Sequence, residues 1–301
     1  MIRRACLAAL LTLSVSTAFG ATPYDHLYAF GDSYSDNGAG DMLTARLVAQ
    51  QVKDAQVLPG PLYWKGRWSN GQTAVEGLAK ALKVPLTDYA VGGAKSGHGN
   101  YYAWMMPSRD TGVLGQIAEY LQTAVSHRAD PKALYFIFIS ANDFFEWADF
   151  SHPESIEALS TSSLVNIRNA VEQLAAAGAR QVMVVGTTDL SHVPAVVQGH
   201  QVANANQYQQ LLAQNLPVVL AQLHGVNVRY FDHLAFSDAL RADPAAHGFK
   251  DLDTPCQATY PDVKPVCTDP DAHYYWDEWH PTRKVHALAA RAMLETLNAR
   301  P

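Results

Sequence analysis

Residues 134–140 read LYFIFIS, a run in which apolar residues stand at consecutive positions. A strand with one face in water alternates apolar and polar residues, whereas a strand covered on both faces is apolar throughout. The run therefore predicts a strand buried between two layers of helices. With this run, the chain has five predicted strands: Leu27–Phe30, Thr87–Val91, Ala133–Ser140, Gln181–Val185 and Val226–Phe231.

Longer stretches with helical periodicity lie between these strands. The predicted helices fall near Asp41–Gln51, Thr73–Leu82, Gly115–His127, Ser162–Ala177, Ala203–Leu223 and Thr282–Leu297. Such alternation predicts a parallel sheet with helices on both faces. We therefore expect one three-layer α/β/α domain over residues 21–301, with a central parallel sheet. Stretches 58–69 and 243–275, rich in Pro, Gly and aromatic residues, are predicted loops.

Small and polar residues follow the first three predicted strands. GDSYSDNG comes after the first strand, GGAKSGHGN after the second and SANDFF after the third. Right-handed crossovers place the carboxyl ends of parallel strands on one edge of the sheet, and open α/β sheets bind ligands at that edge. A functional site is expected there.

The chain begins with MIRRACLAALLTLSVSTAFGA, in which two arginines precede an apolar run and then small residues. This order is typical of a secretory signal peptide, which we place at residues 1–20. The apolar run is shorter than the about 20 residues that span a bilayer, and no later run is long enough. The sequence therefore predicts a soluble, exported protein, either secreted or periplasmic.

The charge balance bears on the class of partner. The formal net charge is −6, with 22 Lys and Arg against 28 Asp and Glu, and the basic residues form no cluster. Binding to nucleic acid depends on the neutralisation of phosphates by such clusters. We therefore exclude nucleic acid as a partner.

Three cysteines are present, and Cys6 falls within the predicted signal peptide. Cys256 and Cys267 then remain, and an even number of cysteines in an oxidising compartment favours a disulfide. Closing this short loop would contribute about 2–3 kcal/mol to stability. The alternative is a pair of free, buried thiols.

Residues 274–282 read YYWDEWHPT, so Asp277 and His280 stand three residues apart just before a predicted helix. One turn of chain at that spacing can bring a carboxylate to an imidazole. A serine hydroxyl becomes a strong nucleophile when such an oriented base takes its proton. Backbone N–H groups of glycine-rich turns, together with an Asn amide, can stabilise the oxyanion that forms.

Four stretches resemble, in order, the four conserved blocks of the GDSL (SGNH) esterase/lipase family: FGDSYSDNG, YAVGGAKSG, ISAND and DEWHPT. GRWSNGQTAVEGLA also resembles the segment between the first two blocks of these proteins. The resemblance extends from Tyr28 to about Leu294. It implies the SGNH-hydrolase fold, which is flavodoxin-like, and a carboxylic-ester hydrolase that needs neither a metal nor another cofactor.

The resemblance also implies a role for each matching residue. Ser33 is the nucleophile, and its N–H joins the oxyanion hole. The N–H of Gly93 and the side-chain amide of Asn142 complete that hole. His280 is the general base, and Asp277 orients it.

Two positions depart from the family pattern. Tyr34 stands where the family name has leucine, and Ser140 stands where the third block usually has glycine. Neither change removes a catalytic group. The side chain of Ser140 would add a Cβ beside the oxyanion hole, so we expect a narrower pocket.

Each site residue also has a simpler interpretation. Ser33 could cap a turn, Gly93 could mark a tight turn with positive φ, and Asn142 could cap the structure after its strand. His280 could be a helix-start residue. It could also bind zinc together with His273 and Asp277, although two histidines and one aspartate without further support make a poor zinc site.

Aromatic residues crowd the predicted loops, and many of them will serve packing. Four are predicted to face the substrate: Trp279, Tyr101, Tyr102 and Trp276. Aromatic rings attract quaternary ammonium groups by about 0.5–2 kcal/mol each. Some secreted bacterial members of the family hydrolyse lysophospholipids or choline esters, and some carry a disulfide-closed loop before the last block. The resemblance, together with these aromatic residues, thus favours a lysophospholipid or a small choline ester as substrate.

Two other functions stay open. The same site could serve a short-chain or carbohydrate O-acetyl esterase, and the same scaffold could serve a non-catalytic surface-binding module. The expected partner is an ester, small or lipid, which leaves room for transient contact with a lipid surface. No obligate protein partner is expected.

Overall fold

Five parallel strands form one sheet in the computed structural model, which describes residues 24–299. In chain order they are β1 Leu27–Gly31, β2 Leu86–Asp88, β3 Leu134–Phe138, β4 Gln181–Val185 and β5 Asn227–Phe231. Their order across the sheet is β2-β1-β3-β4-β5, and every neighbouring pair is parallel. This is the flavodoxin-like strand order. The predicted signal peptide lies outside the described residues.

The second strand is shorter than the predicted Thr87–Val91 and begins one residue earlier. The N–H of Ala90 donates to Oδ1 of Asp88 at 3.0 Å, which turns the chain out of the strand. The N–H groups of Tyr89 and Val91 still donate to carbonyl oxygens of β1. The chain therefore leaves the sheet gradually as it approaches the glycine-rich turn.

Nine α-helices surround the sheet within residues 24–299: α1 Ala39–Ala49, α2 Ala74–Leu82, α3 Val113–Thr123, α4 Ala141–Asp149, α5 Ile156–Ala177, α6 Pro194–Gln198, α7 Val202–Ala221, α8 His233–Ala242 and α9 Arg283–Asn298. Six of them correspond to predicted helices. The sequence does not predict α4, α6 or α8. A signal for α8 is nevertheless present, because Asp232 caps this helix by accepting the N–H of Ala235 at 3.0 Å.

Helices cover both faces of the sheet. α2 and α9 pack on one face, against Leu134, Phe136 and Phe138 of β3. α3, α5 and α7 pack on the other face, against Tyr135 and Ile137. All five residues of β3 are buried, and burying each such side chain contributes about 1.5–3 kcal/mol. The predicted three-layer α/β/α architecture is thus confirmed.

The carboxyl ends of β1 and β3 open onto the same edge of the sheet. Gly31 at the end of β1 pairs with Phe138 at the end of β3. A Cβ on Gly31 would stand 2.4 Å from the carbonyl oxygen of Phe138, so glycine is required at this close approach. The segments that follow the two strands therefore start side by side.

Two long segments contain neither a strand nor an α-helix: 50–73 and 243–282. Both include a predicted loop. The second segment contains the predicted disulfide, with a Cys256–Cys267 S–S distance of 2.03 Å. Buried side chains that support this segment include Phe144, Tyr208, Leu240, Tyr274 and Tyr275. No helix within residues 24–299 combines the length and the apolar character needed to cross a bilayer.

Candidate active site

Ser33 stands on a tight turn directly after β1. The N–H groups of Ser35 and Asp36 donate to the carbonyl oxygen of Asp32 at 3.0 and 2.9 Å. The carboxylate of Asp32 accepts the N–H of Tyr34 at 3.0 Å. Burial raises the pKa of Asp32 to about 7. These bonds close the turn around Ser33 and hold its hydroxyl at the edge of the sheet.

Ser33, His280 and Asp277 form a continuous chain of hydrogen bonds. The Ser33 Oγ lies 2.9 Å from Nε2 of His280, across 247 residues of sequence. Nδ1 of the same ring lies 2.8 Å from Oδ2 of Asp277. Because an ionised carboxylate can only accept, Nδ1 carries the proton and Nε2 is free to accept the proton of the Ser33 hydroxyl.

Backbone contacts hold the Asp277 carboxylate in place. Its Oδ1 accepts the N–H groups of Trp279 and His280 at 2.8 and 2.6 Å, so the turn from 277 to 280 closes on its own carboxylate. Asp277 is fully buried. The three-residue spacing of DEWH therefore places the Asp277 carboxylate and the His280 imidazole in one turn, as the sequence predicts.

Three N–H donors suited to an oxyanion line the same cavity as Ser33: the backbone N–H of Ser33, the backbone N–H of Gly93 and the side-chain amide of Asn142. Among residues 24–299, the N–H groups of Ser33 and Gly93 donate to no protein acceptor. Asn142 Nδ2 donates one proton to the carbonyl oxygen of Ala94 at 3.0 Å and keeps a second N–H. Gly93 has φ of +81°, a conformation that favours glycine.

Asp36 connects the turn that carries Ser33 to the glycine-rich turn. Its carboxylate accepts the N–H of Gly92 at 2.8 Å and the N–H of Gly38 at 2.9 Å. Burial raises the pKa of Asp36, and the N–H donors of Gly92, Gly38 and Gly40 oppose this rise. A Cβ on Gly92 would stand 2.3 Å from Nε1 of Trp68, so this glycine admits the indole. The neighbouring Gly93 is thereby fixed relative to Ser33.

Asp143, at the start of α4, also attaches a neighbouring segment to the glycine-rich turn. It accepts the N–H of Ser96 at 3.0 Å and the hydroxyl of Ser96 at 2.8 Å. Burial raises the pKa of Asp143 to about 6, while the bonds from Ser96 oppose the rise. The helix that carries Asn142 is thus attached to the turn that carries Gly93.

A cavity of about 720 Å³ opens at Ser33 and His280. Its aromatic lining consists of Tyr34, Tyr63, Trp68, Tyr101, Tyr102, Phe145, Tyr260 and Trp279. The lining includes the carboxylate of Asp149 but no Lys or Arg. The cavity is therefore aromatic and favours neutral or cationic groups over anions.

Three of the four aromatic residues predicted to face the substrate line this cavity. The hydroxyl of Tyr101 donates to Asp149 at 2.8 Å. The Tyr102 ring is stacked on Trp68, with centroids 6.4 Å apart. The Trp279 ring also lies at the cavity.

Trp276 does not belong to this set. It is 7% exposed and is absent from the cavity lining. Its backbone N–H donates to the carbonyl oxygen of His280 at 2.7 Å, which closes the base of the 277–280 turn, and Nε1 of its indole is buried. The prediction that Trp276 faces the substrate is therefore wrong.

Ser140 likewise does not narrow the pocket, contrary to expectation. The residue is fully buried, and it is absent from the cavity lining. Its φ of +132° explains why glycine suits this position, because side chains are strained in that region. The departure from the family pattern affects the backbone before α4 rather than the cavity.

Two further residues contact the 277–280 turn and were not among the predicted site residues. Tyr63 donates its hydroxyl to Oδ2 of Asp277 at 2.5 Å. Glu278 is fully buried and accepts the N–H and hydroxyl of Thr259 at 2.9 and 2.6 Å, and so attaches the disulfide loop to the turn. Glu278 stands next to Asp277 in the sequence, but the sequence does not show that Glu278 binds Thr259.

Among solved structures, an acetylxylan esterase from Geobacillus stearothermophilus aligns with a TM-score of 0.46 at 14% identity. The alignment covers 92% of this chain and 95% of the esterase.

Sequence comparisons identify the family. Thermolabile hemolysin of Vibrio parahaemolyticus is 28% identical over 289 residues, which cover 90% of this chain but only 63% of the hemolysin. A GDSL esterase/lipase of Arabidopsis thaliana is 24% identical over 345 residues, covering 99% of this chain and 97% of that relative. Residues 27–293 match the profile of the GDSL-like lipase/acylhydrolase family. The chain therefore belongs to this family and is a hydrolase of the esterase/lipase type.

Proposed function

We propose that the protein is an exported serine carboxylic-ester hydrolase that acts on choline-bearing esters through an acyl-enzyme. The hydrogen-bonded chain of Ser33, His280 and Asp277 is the observation that carries the catalytic part. The Cys256–Cys267 disulfide supports a secreted or periplasmic location, since disulfides persist in oxidising compartments.

The mechanism consists of two acyl transfers. The Ser33 Oγ attacks the ester carbonyl carbon while Nε2 of His280 takes the hydroxyl proton. The N–H groups of Ser33 and Gly93 and the amide of Asn142 stabilise the oxyanion. His280 then gives the proton to the leaving alcohol, and the acyl group stays on Ser33.

Water completes the reaction at the same groups. His280 takes a proton from water, whose oxygen attacks the acyl carbon through a second oxyanion. The proton returns to Ser33 as the carboxylic acid leaves. Asp277 keeps the imidazole in the required tautomer throughout and stabilises its charged form. No metal or organic cofactor takes part in these steps.

The lining of the cavity supports a choline-bearing substrate. Trp279 immediately precedes the proposed base, and Tyr260 of the disulfide loop stands beside it, with ring centroids 6.4 Å apart. The Asp149 carboxylate adds negative charge, and the lining offers no competing Lys or Arg. The Vibrio parahaemolyticus relative is named for the lysis of red cells. From that name we take only the class of target for this protein, which is a membrane lipid such as a lysophospholipid.

The activity is tested with wild type and Ser33→Ala on acetylcholine, lysophosphatidylcholine, a triglyceride and an acetylated xylan. We expect wild type to hydrolyse one or both choline-bearing esters fastest and Ser33→Ala to be inactive. Fastest turnover of acetylated xylan would instead establish the O-acetyl esterase. Binding without turnover by wild type would establish the non-catalytic module.

The choline preference is tested separately with Trp279→Ala. Loss of one cation–π contact should lower kcat/KM for acetylcholine by about 2- to 30-fold more than for an uncharged acetate ester. Trp64→Ala is the matched control, because Trp64 is a half-buried tryptophan outside the cavity. Equal losses on the two esters would reject the cation–π contact.

A further inference from the structure

Tyr63 contacts the proposed acid of the site from a distant part of the chain. Its hydroxyl lies 2.5 Å from Oδ2 of Asp277, across 214 residues of sequence. The same oxygen lies 2.8 Å from Nδ1 of His280. A carboxylate offers only lone pairs here, so the phenol must be the donor. One carboxylate oxygen is therefore shared between the phenol and the imidazole.

Neighbouring contacts hold Tyr63 in this place. Its ring packs against Trp68 with centroids 6.0 Å apart, and Trp68 lies 5.1 Å from the ring of His280. Further along, the Ser69 hydroxyl donates to the carbonyl oxygen of Pro281 at 2.7 Å. The segment 63–69 thus contacts Asp277, His280 and Pro281. These contacts together hold the Tyr63 phenol in place.

We propose that Tyr63 is a positioning residue that fixes the Asp277 carboxylate and weakens the basicity of His280. The phenol O–H draws negative charge toward itself on Oδ2, which leaves less of that charge to stabilise the imidazolium. The inference rests on the proposed function, because it takes His280 as the base. The consequence is that His280 stays neutral, and thus able to act as a base, at lower pH than it would without the Tyr63 hydroxyl.

The phenol remains a donor over the working range of pH. Burial raises the pKa of Tyr63 far above its usual value, and the neighbouring Asp277 charge raises it further. The other titratable groups that face the pair from packed elements are Asp32 and Tyr34 of the nucleophile turn, Tyr102 of the loop after β2 and His286 of α9. All of these remain in place when only the Tyr63 hydroxyl is removed.

The pH profile of Tyr63→Phe tests the proposal. We expect the midpoint of the acidic limb of kcat/KM to move to higher pH by about 0.5–1 unit, because the unshared carboxylate stabilises the imidazolium more strongly. Tyr89→Phe is the matched control, since it removes a phenol that bonds Thr123 away from the site. Its midpoint should equal that of wild type. A lower kcat/KM in Tyr63→Phe with an unchanged midpoint would overturn the proposal, because packing alone would then explain the contact.

A second measurement needs no turnover. The NMR titration of the assigned His280 ring is compared in Ser33→Ala and in Ser33→Ala with Tyr63→Phe. We expect the same upward displacement of the midpoint in the double variant. An unchanged or lower midpoint would overturn the role of Tyr63 even in an active enzyme. Failure of the wild type to hydrolyse any ester would reject the proposed function instead.

Discussion

Ser140 combines two unfavourable features at the start of α4. Its φ of +132° lies in a region where a Cβ is strained. Its hydroxyl is buried and has no hydrogen-bond partner within residues 24–299. Its carbonyl oxygen, by contrast, accepts the hydroxyl of Tyr208 at 3.0 Å and would do so with any residue at this position. Glycine would therefore keep the useful contact and lose both unfavourable ones.

Ser140→Gly should raise the free energy of unfolding by about 1 kcal/mol. Relief of about 1–3 kcal/mol of strain exceeds the about 0.5–1 kcal/mol that glycine loses through its flexibility in the unfolded chain. Urea unfolding of both proteins measures the difference. Ser162→Gly, at an exposed position within α5, is the control and should lower stability by about 0.5 kcal/mol. Equal destabilisation of both variants would show that Ser140 is not strained.

The sequence predicts the residues of the site unevenly, for a physical reason. Ser33, Asp277 and His280 are predicted because they stand in short stretches that resemble blocks of the family, and their neighbours along the chain build the turns that present them. Tyr63 has no such local signal, since its contact with Asp277 spans 214 residues and depends on tertiary packing. Trp276 was predicted wrongly because a dense aromatic stretch does not reveal which rings turn inward.

Individual strands and helices are also predicted from the sequence to different degrees. β3 is predicted because burial on both faces makes its sequence apolar throughout. β2 has only three residues, so most of its predicted length belongs to a turn fixed by one Asp88 side chain. Only two residues separate Phe138, the last residue of β3, from the start of α4, where a polar turn is equally consistent with the sequence. Its helical form depends on tertiary contacts, including those of Asp143 and Phe144.

His233 places an imidazole at the start of α8 in an apolar environment. It is 5% exposed, and its ring lies 5.2 Å from Phe138 and 5.8 Å from Phe236. Its Nδ1 has no hydrogen-bond partner within residues 24–299. Burial lowers the pKa of His233 to about 4, although Asp189 and Asp232 oppose this change. The other titratable groups near the ring are Tyr34 and His286.

His233→Phe should make the protein less sensitive to acid. An exposed imidazole titrates near pH 6.5, so on acidification the unfolded chain takes up the proton before the folded chain does. The wild type therefore loses stability as the pH falls from about 6.5 toward about 4. The variant should avoid about 2–3 kcal/mol of the loss between pH 7 and pH 4.5. Denaturant unfolding at both pH values measures this, and parallel losses in the two proteins would contradict the buried neutral imidazole.

At the scale of the whole molecule, distant parts of the chain meet at one edge of the sheet. The ends of β1 and β3 supply Ser33 and Asn142, and the turn after β2 supplies Gly93. The segments 50–73 and 243–282 supply half of the aromatic lining and the 277–280 turn. The strand pattern predicts this convergence, because parallel strands end on one side. It does not predict the closure of the cavity, which depends on how the two long segments pack.

The central claim is that His280 activates Ser33 as the nucleophile. Covalent labelling by a fluorophosphonate, with the modified residue mapped by mass spectrometry, tests it most directly. Wild type should take up one label per chain on Ser33, and His280→Ala should react at least about 1000-fold more slowly. A label on another serine such as Ser35, or an undiminished rate in His280→Ala, would contradict the account.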